Sequence, residues 1–314
     1  MMGKAATTCE YCNSAQSMLL GNVYCSRHNP SMRKLENGTI LIKAKNLESV
    51  EHTSRLSIRY NFSGEQYYQV GSHHHLIRPD RYLIINQNQS YKTAVQGNDE
   101  KEMFIIGFKP DFAEHLLYNL TTPADKLLDD PENVHAQPVN FFEQTYTLKP
   151  EMLQVLQNLR QKMNKPEAAL LDFDSIYGFL LEQLLQEHRN IYKQVEQMKP
   201  VKQATRVELF KRVSIARDYM DAFAGKKMNI QDIAAEAALS PYHFQRLFKQ
   251  VFRQTPHQYL TEQRLKKAVS LLLCTSQAVS DICQQVGFDD AASFSKLFRK
   301  HYGMPPNAFR LKQL

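Results

Sequence analysis

The sequence predicts an α+β chain: a β-rich N-terminal part shaped as an antiparallel barrel or sandwich, helices behind it, and an all-helical C-terminal third. Three observations predict this. Apolar residues alternate with polar ones at period two before residue 146. The period changes to that of a helix after Pro150. The last third repeats itself at an interval of fifty residues, Phe244 to Phe294.

The chain of 314 residues is long enough for roughly two domains. Its 43% hydrophobic and 23% charged residues suit a globular protein. Gly at 11 and Pro at 13 exclude collagen-like and low-complexity chains. No apolar run approaches the length of a membrane span, and the opening MMGKAATTCEYC has no apolar core of a secretory signal. Five Cys, an odd and sparse set, argue against a disulfide scaffold and for a reducing compartment. The charge is unevenly spread. From Met198 onward 19 Lys and Arg stand against 9 Asp and Glu, and before it 20 stand against 23. A basic module that binds a polyanion, joined to one that does not, fits this asymmetry.

Residues 1–35 form a Cys/His-rich segment with little periodicity, and 36–146 read as strands. Leu56, Ile58, Tyr60 and Phe62 alternate with Ser57, Arg59 and Asn61, the pattern of a half-buried strand. Apolar runs at Thr39–Ala44, Gln66–Val70, Leu76–Ile77, Tyr82–Asn86 and Met103–Phe108 are further strands. Gly64, Gly71-Ser72, Pro79-Asp80 and Gly97-Asn98-Asp99 are turns between them. Residues 147–197 are helical: Met152, Val155, Leu156 and Leu159 share one face, as do Ile176, Phe179, Leu180, Gln183, Leu184 and in part Glu187. Asp174 or Ser175 is the expected N-cap of the second helix. The polar stretch around Pro200, residues 198–205, is a linker, and 206–314 is the basic module.

Within that module Phe244-Gln245-Arg246-Leu247-Phe248-Lys249 recurs as Phe294-Ser295-Lys296-Leu297-Phe298-Arg299, Pro256 as Pro306 and Tyr259 as Phe309. Upstream, Ile230, Ile233, Ala234 and Ala237 recur as Val279, Ile282, Cys283 and Val286, at an offset one smaller. Each copy reads as helix, tight turn, helix. Ser240 caps and Pro241 opens the second helix of the first copy, which buries Phe244, Leu247, Phe248 and Val251. Gly287 makes the corresponding turn in the second copy, with Asp289 or Asp290 as cap and Phe294, Leu297 and Phe298 as the buried stripe.

Two short helices joined by a tight turn form a helix-turn-helix, whose second helix enters the DNA major groove. Arg246 suits guanine O6 and N7, Gln245 suits adenine N6 and N7, and Lys296 offers a less selective guanine contact. Tyr242 can stack or meet a thymine methyl, and His243 shares its face. Lys249, Arg299 and Lys300 suit phosphates. Tyr259–Cys274 links the copies; a separation of roughly 34 Å would place both on one face of B-DNA. Two solvated charged faces on a helical bundle are the plain alternative, and the duplication with matched caps argues against it.

Ile282-Cys283, Val286-Gly287-Phe288, Phe294-Ser295-Lys296, Phe298-Arg299, Gly303, Pro305-Pro306 and Phe309-Arg310 together resemble the signature of the AraC/XylS transcriptional regulators. Arg264, Ala268 and Leu271-Leu272 match the family's linking helix. The resemblance spans Leu209 to Arg310. It implies a seven-helix domain with two helix-turn-helix units in adjacent major-groove segments. It places base contacts on Tyr242, Gln245 and Arg246 in the first unit and on Ala292, Ser295 and Lys296 in the second. Lys296 stands where Arg is usual, and Ala291-Ala292 are short, so the second unit reads fewer bases. More loosely, the N-terminal part resembles the family's cupin-like sensor barrel. That implies a small-molecule effector and dimerisation through Pro150–Gln197, although the same helices can instead cover the barrel in cis. Tyr60, Phe62, Tyr67, Tyr68 and Tyr82 are candidates for a pocket lining or simply core.

Cys9, Cys12, Cys25 and His28 have the paired spacing of a structural Cys3His zinc site. Free thiols on a tail, or a redox or metal sensor, are the alternatives. His73-His74-His75 invites a cupin metal, which would also want a distant Glu and a further His; His115 and His135 lie in no convincing strand. A hairpin of solvated His is the expectation. Cys274 and Cys283 fall on apolar helix faces as small core residues. No Gly-rich phosphate loop, nucleophile elbow or HExxH is present.

The expectation is a cytoplasmic, sequence-specific transcription activator that binds double-stranded DNA as a homodimer, responds to an effector and contacts RNA polymerase. The rival is a metal-dependent cupin enzyme whose basic tail is a nonspecific tether, which would have no need of the repeat.

Overall fold

The computed structural model describes residues 37–97, 99–123, 138–163, 174–198 and 202–312. The chain divides after Gln197 into two compact units.

The first unit holds strands β1 (Gly38–Ala44), β2 (Leu47–Glu48), β3 (His52–Thr53), β4 (Ser57–Asn61), β5 (Gln66–Val70), β6 (His73–Ile77), β7 (Arg81–Ile85), β8 (Ser90–Val95), β9 (Lys101–Gly107) and β10 (Thr145–Thr147). Its helices are α1 (Phe112–Thr121), α2 (Pro150–Met163) and α3 (Asp174–Glu196). One antiparallel sheet has the order β1-β9-β4-β7-β10 and the other β2-β8-β5-β6, with β3 also on β8. Leu83 and Ile85 of the first sheet pack with Tyr68, Val70, Ile77 and Tyr91 of the second, and Met103 packs with Leu47 and Val95. Alternation then assigns the faces. Leu83, Ile85 and Met103 look between the sheets, and so do their register partners Arg59, Ser57 and Asn61. Ile58, Tyr60, Phe104 and Ile106 look the other way, toward the helices.

That outer face is covered in cis. Arg160 of α2 lies over the Phe62 ring and pairs with Glu102, and Tyr177 of α3 shares a hydrogen bond with Thr39 of β1 at 3.1 Å. Lys149 pairs with Glu187 at 2.6 Å. Leu156, Leu159, Leu180, Leu181 and Leu184 are fully buried within the single chain. On α3 the buried face is turned from the expected one: Ile176, Phe179, Gln183 and Glu187 are half-buried, while Tyr177, Leu181, Leu185, Ile191 and Val195 join Leu180 and Leu184 inside.

A sheet between helices and a second sheet has no solvent side. This corrects the half-buried reading of β4, every residue of which is buried, including Arg59 and Asn61. Tyr60, Phe62 and Tyr82 belong to the helix-facing side, with Tyr82 stacked on Tyr146 at 5.3 Å. Tyr67 is exposed, which leaves Tyr68 alone of the five candidate aromatics between the sheets.

The second unit is helical: α4 (Gln203–Ala222), α5 (Ile230–Glu236), α6 (Pro241–Phe252), α7 (Pro256–Cys274), α8 (Val279–Gln285), α9 (Ala291–Tyr302) and α10 (Pro306–Lys312). The repeat is carried into three dimensions. Phe248 contacts Phe252 and Tyr259 at 4.7 and 5.5 Å between ring centroids, and Phe298 contacts Tyr302 and Phe309 at 4.7 and 5.5 Å. Cys283 is buried as expected. Cys274 is not: it is the last residue of α7, where the helix has run out of core to pack against, and it is exposed.

Candidate nucleic-acid interface and sensor barrel

Each helix-turn-helix is built by its caps. The Asn229 side chain accepts from the Asp232 amide at 2.8 Å to open α5. Alpha5 closes with Leu239 N–H donating to Ala234 O at 3.0 Å around Ala238, whose φ is +49°. Alpha8 closes in the same way, with Phe288 N–H donating to Cys283 O at 3.0 Å around Gly287, φ +90°. These are Schellman endings, with an apolar residue after each left-handed one. Ser240 accepts from the His243 amide and Pro241 follows it; Asp290, rather than Asp289, accepts from the Ala292 and Ser293 amides at 2.8 and 2.9 Å. A further signal that the sequence carries is the capping box Thr255-x-x-Gln258 that starts α7.

The two copies differ at the left-handed position. A Cβ on Gly287 would lie 3.0 Å from Arg264 Nη2 and 3.1 Å from Ala224 O, whereas Ala238 already bears its Cβ at φ +49°. Gly287→Ala is therefore expected to cost about 1–2 kcal/mol of conformational strain, with Arg264 displaced in addition. Ala238→Gly should change stability far less, because strain relief is offset by chain entropy. Urea denaturation of both variants checks the contrast.

With the helices so fixed, one face of α6 is open. Tyr242 is 79% exposed, Gln245, Arg246 and Lys249 are exposed, and His243 is half-buried. On α9, Ala291, Ala292, Lys296, Arg299 and Lys300 are exposed and Ser295 is half-buried. Among the described residues none of Arg246, Lys249, Lys296, Arg299 or Lys300 forms an ion pair. Two other arginines of the signature do different work. Arg264 donates to Ala224 O and Lys226 O, both at 2.9 Å, and Arg310 donates to Leu272 O and Gln277 O at 3.3 and 2.6 Å. They tie loops and a helix end together. Burial lowers the pKa of Arg264, and the nearby Asp289 charge partly restores it.

In the first unit the solvated-histidine expectation is corrected. His75 is fully buried because β6 pairs with β5 and places it beside Tyr68. His73 Nδ1 lies 2.6 Å and His75 Nε2 3.4 Å from the same oxygen of Glu143, and Gln89 donates to the other at 2.9 Å. Burial alone would raise the Glu143 pKa, but the hydrogen bonds and charges of His73 and His75 outweigh it and hold the carboxyl down to about 2. His188 sits among Phe141, Phe142 and Tyr192 at ring distances of 4.9–5.6 Å, and burial lowers its pKa to about 4. His115 lies on α1, and His135 lies outside the described residues. Among the described residues no three His, Cys, Asp or Glu are arranged to hold a metal ion. Cys9, Cys12, Cys25 and His28 also lie outside the described residues. No helix among the described residues is long and apolar enough to cross a membrane.

Residues 233–312 match the family model described as a helix-turn-helix domain, and residues 49–180 match the one described as an AraC-like ligand binding domain. The lactose operon transcription activator of Staphylococcus xylosus is 35% identical over 95 residues, 30% of this chain and 34% of that protein. The MmsAB operon regulatory protein of Pseudomonas aeruginosa is 34% identical over 92 residues, 29% of this chain and 30% of that protein. The matched region is thus about a third of the length of these curated relatives. Among solved structures, the C-terminal domain of AraT, a response regulator from Geobacillus stearothermophilus, is 30% identical and covers 33% of this chain and 86% of that one, at a TM-score of 0.32.

Proposed function

The chain belongs to the AraC family of transcriptional regulators, and from that premise we propose that it is a sequence-specific DNA-binding activator in the cytoplasm. Alpha6 and α9 enter adjacent major-groove segments. Tyr242, Gln245, Arg246, Ala292, Ser295 and Lys296 meet base edges, and Lys249, Arg299 and Lys300 meet phosphates. The first unit senses a small-molecule effector, residues 150–197 pair two copies through the side of α2 and α3 that does not cover the barrel, and the DNA-bound dimer contacts RNA polymerase. An effector acts only by favouring one of two arrangements of the dimer on its sites. A structural zinc on Cys9, Cys12, Cys25 and His28 is part of the reading, and zinc content after chelator-free purification tests it.

The observation that carries the proposal is the duplicated, separately capped presentation of exposed cations that lack acidic partners among the described residues. Binding measured across salt and across mismatched sites tests it. Arg246→Ala should lose about 1–3 kcal/mol of discrimination at one base pair. Lys249→Ala should weaken binding on all sequences alike and reduce the salt slope by about 1. Indistinguishable behaviour of the two variants, or equal binding of the unaltered chain to every sequence, would count against the proposal.

A further inference from the structure

The space between the two sheets carries a chemical signature of its own. Ser57, Arg59 and Asn61 of β4 face it from one side. Gln66 and Tyr68 of β5, and Tyr91 and Thr93 of β8, face it from the other. Arg59 is 3% exposed. Its Nη2 donates to Ser54 Oγ at 3.3 Å, and its guanidinium lies over the Tyr91 ring at 4.7 Å. Among the described residues its buried Nε and Nη1 have no acceptor and it forms no ion pair.

A guanidinium keeps its charge at any physiological pH, so burial without a carboxylate is costly unless a partner arrives. Two acids of this unit are engaged elsewhere: Glu143 with His73, His75 and Gln89, and Glu102, on the helix-facing side of its sheet, with Arg160 and Lys43.

The surrounding groups narrow the chemistry. Asn61 is fully buried, and among the described residues both its amide atoms are unpartnered. Gln66 donates through Nε2 to Thr93 Oγ1 at 2.8 Å and leaves its buried Oε1 without a donor. Two acceptors and an amide donor beside a cation suit hydroxyl groups, and an ammonium group would be repelled by Arg59. Tyr68 and Tyr91, 6.1 Å apart between centroids, are apolar walls for a short carbon skeleton.

We propose that the inter-sheet core takes a small hydroxylated carboxylate, with the carboxylate on Arg59 and its hydroxyls on Asn61 and Gln66. This rests on the reading of the first unit as an effector sensor and adds the ligand class and the residue that selects it. Arg59 is then a binding residue whose unpaired state lowers the stability of the unliganded chain, the trade-off common at functional sites.

The test is dye-reported thermal unfolding of the full chain with matched acid and neutral compounds at about 10 mM, where a millimolar ligand is near saturation. The pairs are galacturonate with galactose, gluconate with sorbitol, and lactate with propane-1,2-diol; phosphate and sulfate form a separate arm. The acid of at least one pair should raise the midpoint by about 2 °C or more, and its neutral partner should not. Arg59→Met should abolish that response and raise the unliganded midpoint by about 2–4 °C. Arg59→Lys retains the charge without the planar fork and should weaken the response at least tenfold, which serves if Arg59→Met fails to fold. The proposal is overturned by the absence of any acid-specific shift, by an equal shift with the neutral partners or the inorganic anions, by a response that survives Arg59→Met, or by a lower unliganded midpoint in a folded Arg59→Met. Loss of specific DNA binding by the unaltered chain would instead mark failure of the sensor-regulator reading.

Discussion

Phe298→Ala is expected to remove about 3–5 kcal/mol from the second unit, the cost of deleting a fully buried ring that the surroundings cannot refill. The geometry explains the size of the loss. Phe298 touches Phe294, Tyr302 and Phe309, and shares a core with Leu265, Ala268, Leu272, Ile282 and Val286. It joins α9 to the linking helix and to α10, so its removal loosens the exposed face of α9 along with the core. Phe248→Ala should cost a similar amount through Phe244, Phe252 and Tyr259. Urea denaturation followed by far-UV circular dichroism measures both, and a loss under about 1 kcal/mol at either position would contradict the packing argument.

The second large effect is on acid stability of the first unit. His188, held near pKa 4 by burial against an ordinary 6.5, stays neutral in the folded chain while the unfolded chain takes up a proton. Stability is therefore undiminished above about pH 6.5 and falls as pH drops toward 4, by on the order of 3 kcal/mol in all. Glu143 adds a lower window. Its carboxyl is held near 2 against an ordinary 4.5, so its contribution is present above about 4.5 and disappears as pH falls toward 2. His188→Phe should flatten the upper window and leave the lower one, and Glu143→Gln should do the reverse. Denaturant midpoints at pH 7.5, 5 and 3.5 separate them; an unchanged slope between 7.5 and 5 in His188→Phe would refute the assignment.

The helix-turn-helix units were legible because each carries its own local signals. Ser240-Pro241 and Asp290 start their helices, and Phe244, Leu247 and Phe248 repeat as Phe294, Leu297 and Phe298. Short-range chemistry of this kind survives in a single sequence. The barrel was legible only in outline. Beta8, with Lys92 between Tyr91 and Thr93, has no apolar run to announce it, and β10 is three residues long. The polar face of β4 looked like a solvent face because alternation reports two different sides, not which of them is wet. Arg59 and Asn61 are inside because the second sheet covers their face while the helix from Pro150 onward closes the opposite one, a fact with no local trace. The same holds for His75, whose partner Glu143 lies far along the chain.

One rod belongs to both reading modules. Tyr259, near the start of α7, stands in the first aromatic cluster, while Leu265, Ala268 and Leu272 stand in the second core. At about 1.5 Å of rise per residue, its 19 residues measure roughly 28 Å, a little short of one duplex turn. The helix thus acts as a ruler cut to a fixed gauge. On the proposed reading, a promoter whose two elements drift apart by half a turn cannot be followed by stretching the protein; the DNA must bend, or one arm must let go.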